Sequence, residues 1–339
     1  MHNLEVIEYF PKGIKPKDIF YIQHNSVNLP VEGPAIIHRI EDDGTKKEVR
    51  LPFPVTHVEV PESLSDNYLR ERQKRASSGF PYPNEAIANL LRFGLETADS
   101  TLYWEENLTD FATVSSVLRP GLLADLPDDE QKRILRGLAP TAPGAIVESS
   151  DGYIILGVRA GTVHAQGRIM PFPVGHPRYN VHKNPERNSL EDPLQALSRQ
   201  SVTEMNLPLY SGDMNNVFGV AKDIHVIGAM RGKNRQDGSW NPLVSFLLES
   251  KWNSKQLNEV YQTAVDKYEH EGFLTLPVDQ REVAKFIRDN YNRLNDHGLG
   301  QLMFHGRFRF GDNWYEQLVQ ELTRDDRYQA TITEGNIFN

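Results

Sequence analysis

Apolar and polar positions along this chain follow two rhythms, and the change between them falls near Gly144. Upstream, A-I-I-H-R-I, E-V-R-L and V-T-H-V-E-V alternate with period two and are rich in β-branched residues. That pattern predicts a hairpin across E-D-D-G-T-K-K and one further strand. Leu64 to Ala76 switches to helical spacing, with a basic run from Arg70 to Arg75 that reads as a solvated face or an anion-binding patch. S-S-G-F-P-Y-P-N then breaks the chain, and a soft boundary is placed at Ser77 to Pro83. Glu85 to Leu95 is expected as a helix, and Leu102 to Leu138 as a mostly helical approach.

From Gly144 the pattern predicts strands. A-I-V-E-S and Y-I-I-L-G-V-R flank an Asp151-Gly152 turn, followed by R-I-M-P-F-P-V, N-V-F-G-V-A, H-V-I-G-A-M and P-L-V-S-F-L-L-E. S-K-Q-L-N-E-V-Y-Q starts a helix, E-G-F-L-T-L-P is a strand, and Glu282 to Leu294 is a second helix. After His297, H-G-R-F-R-F-G-D-N-W reads as a strand or edge ribbon before a helix from Asn313 to Leu322. The expected organisation is a β-rich extension at 1–80, a helical lead-in at 81–140, a core at 141–296 and a ribbon with a helix at 297–339.

One helix is signalled more strongly than any other. Asp192 is a good N-cap, Pro193 suits the first helical position and Gln195 completes a capping box. Asn206 can take a left-handed C-terminal cap, and Pro208 forbids continuation. Leu194, Leu197, Ser201 and Met205 mark the inward stripe, while Gln200, Thr203 and Glu204 share another face.

The chain has 339 residues, enough for two domains or one with large additions. Its net charge of -9 argues against a general nucleic-acid or anionic-membrane surface. Cysteine is absent, which removes disulfides, thiol nucleophiles and Cys-ligated zinc together. No apolar run approaches the roughly 18 residues of a membrane helix, and the start of the chain carries no signal-peptide pattern, so a soluble, cytoplasmic protein is expected.

The stretch from Pro173 to Pro208 resembles a Nudix box, in which Gly and Glu precede Arg-Glu-U-x-Glu-Glu-x-Gly-U, with U apolar. Glu191, Arg199, Glu204 and Leu207 fit that pattern. Gln200 stands for the first helix Glu, Thr203 for the second, Ser201 for an apolar residue and Asn206 for the Gly. Gly175 serves as the box Gly with about ten residues inserted before Glu191. P-V-G-H-P and T-E-M-N-L-P-L are similar to Gly-Gly-His-Pro and Asp-Glu-Val-Asn-Leu-Pro-Leu of the UDP-sugar pyrophosphatase branch. The resemblance spans roughly Leu102 to Leu294. It implies an α/β fold: a Nudix-like α/β/α sandwich with a mixed sheet, plus an N-terminal α+β extension and a C-terminal helical extension.

It also implies Mg²⁺-dependent hydrolysis of a nucleoside diphosphate derivative, in which carboxylates on one helix face hold the metal. Only Glu204 survives as an acid at the three helix ligand positions. Gln200 offers a carbonyl oxygen and Thr203 a hydroxyl, so two negative charges are lost. Glu191 either pairs with Arg199 to support the loop or adds a ligand. Glu249, Glu269 and Glu271 are downstream acids that either complete a metal set with Glu204 and Gln200 or are plain surface carboxylates. His176 either contacts phosphate as a general base or stabilises the turn. Arg159, Arg199, Arg231 and Arg235 are candidate phosphate contacts, because a guanidinium forks well onto phosphate oxygens. Tyr103, Trp104 and Phe111 either stack a base or pack the extension onto the core.

Three readings stay open. In the first, a degenerate box recognises a nucleotide-sugar-like metabolite with magnesium hydrolysis weak or lost. The second is an active pyrophosphohydrolase with a relocated metal site. The third is a non-catalytic interaction scaffold, and a homo-oligomer is compatible with any of them.

Overall fold

In the computed structural model the described residues are 2–40, 45–77, 79–80, 84–96, 101–118, 121–160, 167–180, 189–208, 220–233, 240–265 and 267–335. The chain opens with β1 (Asn3–Ile14) and β2 (Ile19–Leu29), then the β3 (Ile36–Ile40) and β4 (Lys46–Arg50) hairpin, β5 (Val55–His57) and α1 (Glu62–Ala76). A long hairpin follows, β6 (Ala86–Glu96) with β7 (Thr101–Asp110), then α2 (Phe111–Thr113) and α3 (Asp128–Gly137). Next come β8 (Ala142–Glu148), β9 (Tyr153–Arg159), β10 (Ile169–Pro171), β11 (Tyr179–Asn180), β12 (Ser189–Leu190) and α4 (Pro193–Met205). The chain continues through β13 (Ala221–Lys233), β14 (Trp240–Ser250), α5 (Ser254–Tyr261) and β15 (His270–Pro277). It closes with α6 (Gln280–Asp289), α7 (Asp296–Phe310), α8 (Asp312–Arg324) and β16 (Thr331–Glu334).

Period-two alternation builds the main layer. Along β14, Val244, Phe246 and Leu248 face one core while Leu243 and Leu247 face another. The sheet runs β10-β9-β8-β14-β13-β1-β16, with β15 also on β9; β8 and β14 pair in parallel and most neighbours antiparallel. Leu194, Leu197 and Met205 of α4, with Leu257 and Tyr261 of α5, cover one face. Val283 and Ile287 of α6, Leu302 and Phe304 of α7, and Leu318 and Leu322 of α8 cover the other. The result is a mixed-sheet α/β/α sandwich. A second sheet, β5-β2-β7-β6, packs Phe93 and Trp104 into the α4-side core, with Trp104 6.2 Å from Phe246 between ring centroids. No described helix is long and apolar enough to cross a membrane.

One irregularity positions the site. β8 pairs Val147 and Glu148 with β9, but its other half takes a different partner. The Ala145 N–H donates to the Pro173 carbonyl at 2.9 Å, and the Gly175 N–H donates to the Pro143 carbonyl at 3.1 Å. Pro173 to Gly175 therefore runs as a strand-like loop in the plane of the sheet, and its Gly175 faces α4.

Several sequence expectations are corrected. Glu85 to Leu95 is not a helix; it is most of β6, held by ten register pairs to β7. The lead-in from Leu102 likewise begins as strand β7 and becomes helical only from Phe111. A-I-A-N-L-L is apolar nearly throughout, and such a run carries no period; the hairpin pairing with β7 decides it. H-G-R-F-R-F lies inside α7, not in a ribbon. Phe308 and Phe310 alternate with arginines, which imitates a strand, but the Asn295 side chain caps the Gly298 N–H and commits the segment to helix. β1 was not anticipated, and it pairs with β13 well inside the main sheet. Of N-V-F-G-V-A, positions 216–219 fall outside the described residues, and its last two, Val220 and Ala221, lead into β13.

Candidate functional site

The α4 helix begins and ends on the residues its sequence marks. Asp192 Oδ1 accepts the Leu194 and Gln195 N–H groups at 2.8 Å, and Gln195 Oε1 accepts the Asp192 N–H at 3.0 Å. Asn206 closes the helix in the left-handed region at φ 53°. With Leu194, Leu197, Ser201 and Met205 buried, the rotation of α4 is set, and Gln200 turns toward the Pro173–Gly175 loop with Thr203 bonded to it.

Arg199 binds the entrance of that loop. Its Nε and Nη2 fork onto the Glu191 carboxylate at 2.8 and 2.9 Å, and Nη2 also donates to the His176 carbonyl at 2.9 Å. The second Glu191 oxygen accepts the Arg178 N–H at 3.1 Å. Charge-assisted, bidentate bonds of this kind fix geometry strongly. His176 is held as a turn residue: its Nδ1 lies 2.8 Å from the Thr141 carbonyl, so Nδ1 carries the proton, and its ring meets Phe111 edge-on.

Gln200 and Thr203 form a neutral cluster where the box pattern has acids. The Gln200 amide donates to the Val174 carbonyl at 3.4 Å, and the Thr203 hydroxyl donates to Gln200 Oε1 at 3.2 Å. Gly175 is pressed onto the same side chain, and a Cβ built there would lie 1.9 Å from Gln200 Nε2. Glu204 is the adjacent acid and is buried. This donor set does not fit a divalent cation. Mg²⁺ wants several anionic oxygens in near-octahedral array, whereas here an amide N–H donor occupies the loop contact. Among the described residues no group of three or more His, Asp or Glu side chains could hold a metal.

The remaining candidates are dispersed. Glu249 lies on the α7 face, opposite α4, where Arg309 clamps it at 2.5 Å together with Glu148 at 2.9 Å. It is not brought to Glu204 and Gln200. Arg231 also stands apart from α4, buried in β13 and paired with Glu5 of β1. Arg159 does lie on the α4 face, at the end of β9, but its guanidinium is bonded to Glu269 at 2.8 Å. Arg235 lies outside the described residues. Trp104 is fully buried and Phe111 packs on His176, while Tyr103 sits on the outer face of its sheet beside Phe20.

Two titratable groups near α4 escaped sequence reasoning. His270 stacks on Phe172 with centroids 4.6 Å apart, and burial, with the Arg159 charge beside it, lowers its pKa to about 4. Glu106 of β7 is fully buried and accepts from Tyr21 Oη at 2.6 Å and Trp104 Nε1 at 2.7 Å. Burial outweighs those bonds and pushes its pKa to about 7. The only available signal was an acid within the apolar and aromatic alternation of W-E-E-N-L, which does not separate an inward from an outward position.

Compared with known proteins, the chain matches no family model and no curated protein. Among solved structures it is similar to a NUDIX hydrolase from Nitrosomonas europaea, at 12% identity over 49% of this chain and 87% of that one, with a TM-score of 0.30. It is similar to the MutT protein of Methanosarcina mazei Go1 at 14% identity, over 53% of this chain and 93% of that one, with a TM-score of 0.25. It is also similar to the NUDIX domain of Shewanella oneidensis NrtR, solved with ADP ribose. There the identity is 11% over 56% of this chain and 96% of that one, with a TM-score of 0.29. Superpositions this loose carry no argument of their own, so any functional assignment rests on α4 and its loop.

Proposed function

We propose that this chain is a Nudix-fold protein that recognises a nucleoside-diphosphate-linked metabolite, UDP-sugar-like in chemistry, and has weak or lost Mg²⁺-dependent hydrolysis. The observation that carries the reading is the neutral Gln200–Thr203–Val174 cluster at the position where the box pattern has its carboxylates. Hydrolysis of a diphosphate linkage needs charge neutralised on the bridging oxygens, and a metal is the usual means. With two acids replaced, Glu204 alone supplies one negative charge. The order of strands, the capped α4 and the Arg199–Glu191 fork support a loop built to hold its shape. Arg159 on the same face supplies a cation for phosphate if a ligand displaces Glu269.

Restoring both acids tests the reading. Q200E/T203E is expected to bind Mg²⁺ measurably by titration calorimetry and to gain hydrolysis of a nucleotide sugar by at least about tenfold over wild type. A double variant that folds, binds no Mg²⁺ and turns over nothing would mean the site was never merely disarmed.

A further inference from the structure

Few large apolar side chains stand in solvent among the described residues, and three of them gather beside the box helix. Val202 of α4 is 41% exposed, Val265 is 75% exposed and Tyr268 is 63% exposed. Val202 and Asn206 lie one turn apart, on the outward side of α4. The Asn206 amide donates to Thr263 Oγ1 at 2.8 Å, which ties that side of the helix to the segment carrying Val265 two residues further on. The short turn Lys267–Glu269, with Tyr268 at its centre, also lies against α4. Apolar residues scattered singly on a surface need no explanation, but a group of them next to a cleft-forming helix marks a place where something docks.

A cation stands at the same corner. Arg159 Nη1 donates to the Glu269 carboxylate at 2.8 Å, and the Ala160 N–H donates to the Glu269 carbonyl at 2.8 Å. Tyr268 is therefore the direct chain neighbour of the residue that pairs with Arg159. On the other side of Glu269, His270 is the register partner of Arg159, and both its ring nitrogens are buried without a hydrogen-bond partner among the described residues. This end of the β9–β15 pair thus combines an exposed aromatic ring, a guanidinium and an imidazole that the chain itself leaves unsatisfied.

We propose that Tyr268, with Val265 and Val202 completing the apolar surface, is the platform on which the nucleobase of the ligand stacks, while Arg159 takes the phosphate beside it. The proposal rests on the nucleotide reading above and adds where the base goes. An aromatic face suits any base, because every base presents a π-face, and a guanidinium forks onto phosphate oxygens. The surface fits a base better than a sugar. A sugar ring brings hydroxyls that need partners, whereas Val202 and Val265 offer none and the Asn206 amide and Thr263 hydroxyl are bonded to each other.

Titration calorimetry with UDP, UDP-glucose and pyrophosphate, on wild type, Y268A and Y268F, tests the platform. Tyr268 is exposed, so its truncation removes little packing, and thermal unfolding of each variant checks that the fold is intact. Y268A is expected to weaken UDP and UDP-glucose by about tenfold or more and to leave pyrophosphate unchanged. Y268F keeps the ring and should bind all three as wild type does. Stacking also lowers the ultraviolet absorbance of the bound uracil, a signal expected in wild type and Y268F and lost in Y268A. A Y268A protein that binds UDP as tightly as wild type, or that loses UDP and pyrophosphate alike, overturns the platform and leaves the nucleotide reading standing. A loss confined to UDP-glucose would put the sugar on Tyr268 and overturn the base assignment. A wild type that self-associates while Y268A stays monomeric, with UDP affinity equal in both, would make this face a contact between copies of the chain and overturn the platform. A wild type that binds neither UDP nor UDP-glucose overturns the nucleotide reading, and the platform with it.

Discussion

Thr203 donates to Gln200 and Gln200 donates to the Val174 carbonyl, so neither presents an anionic oxygen to the loop. A neutral amide in that place favours a closed, metal-free arrangement, because its N–H satisfies a backbone acceptor that a carboxylate would repel. Burial also decides the charge of His270. Its imidazole is stacked on Phe172 and kept neutral by burial, and it titrates near 4 in the folded chain against 6.5 for an unhindered histidine. Between those values the unfolded chain binds a proton that the folded chain does not, so stability falls as the pH drops from about 6.5 to about 4. The predicted contribution is no more than about 3 kcal/mol. Urea unfolding of His270→Phe across that window should show a shallower acid decline than wild type; an unchanged slope would remove His270 as its source.

At the scale of elements, α4 was the most legible part of the chain and the second sheet the least. Asp192, Gln195, Asn206 and Pro208 are local signals, and a cap acts on neighbours a few residues away, so sequence suffices to place it. The Glu191–Arg199 fork was legible from eight-residue spacing within the box pattern. The partners of the other candidates were not. Glu249 and Glu148 come from different strands to share Arg309, and Arg231 finds Glu5 across the sheet from the first strand. β6 imitates a helix because its A-I-A-N-L-L run satisfies either period, and only pairing with β7 chooses between them. The docking of the loop on α4 is itself testable. G175A places a methyl against the Gln200 side chain and should cost roughly 1–3 kcal/mol, since the clash reaches back to Cγ of Gln200 and is not confined to its flexible end. In a Q200A background the same change should cost markedly less. A double-mutant cycle with no coupling would mean that the two elements do not touch as described.

For the molecule as a whole, a mixed α/β/α sandwich carries α4 on one face and α7 on the other, while a second sheet packs Phe93 and Trp104 into the α4-side core. The net charge of -9 leaves anion recognition to local cations, of which Arg159 and Arg199 stand on the α4 side. Both are already paired with glutamates, so ligand binding must exchange one ion pair for another and should be sensitive to salt. The proposed function has a nucleoside diphosphate derivative bound here without a catalytic metal. Thermal unfolding of wild type with nucleoside diphosphates and their sugars, each with Mg²⁺ and with a chelator, tests it most directly, because a ligand that binds only the folded chain raises its apparent stability. The expected result is a rise in Tm with a nucleotide sugar that is the same with Mg²⁺ and with chelator. A rise that requires Mg²⁺ would overturn the metal-free reading and point to a working metal site, and no rise with any member would leave the chain an interaction scaffold.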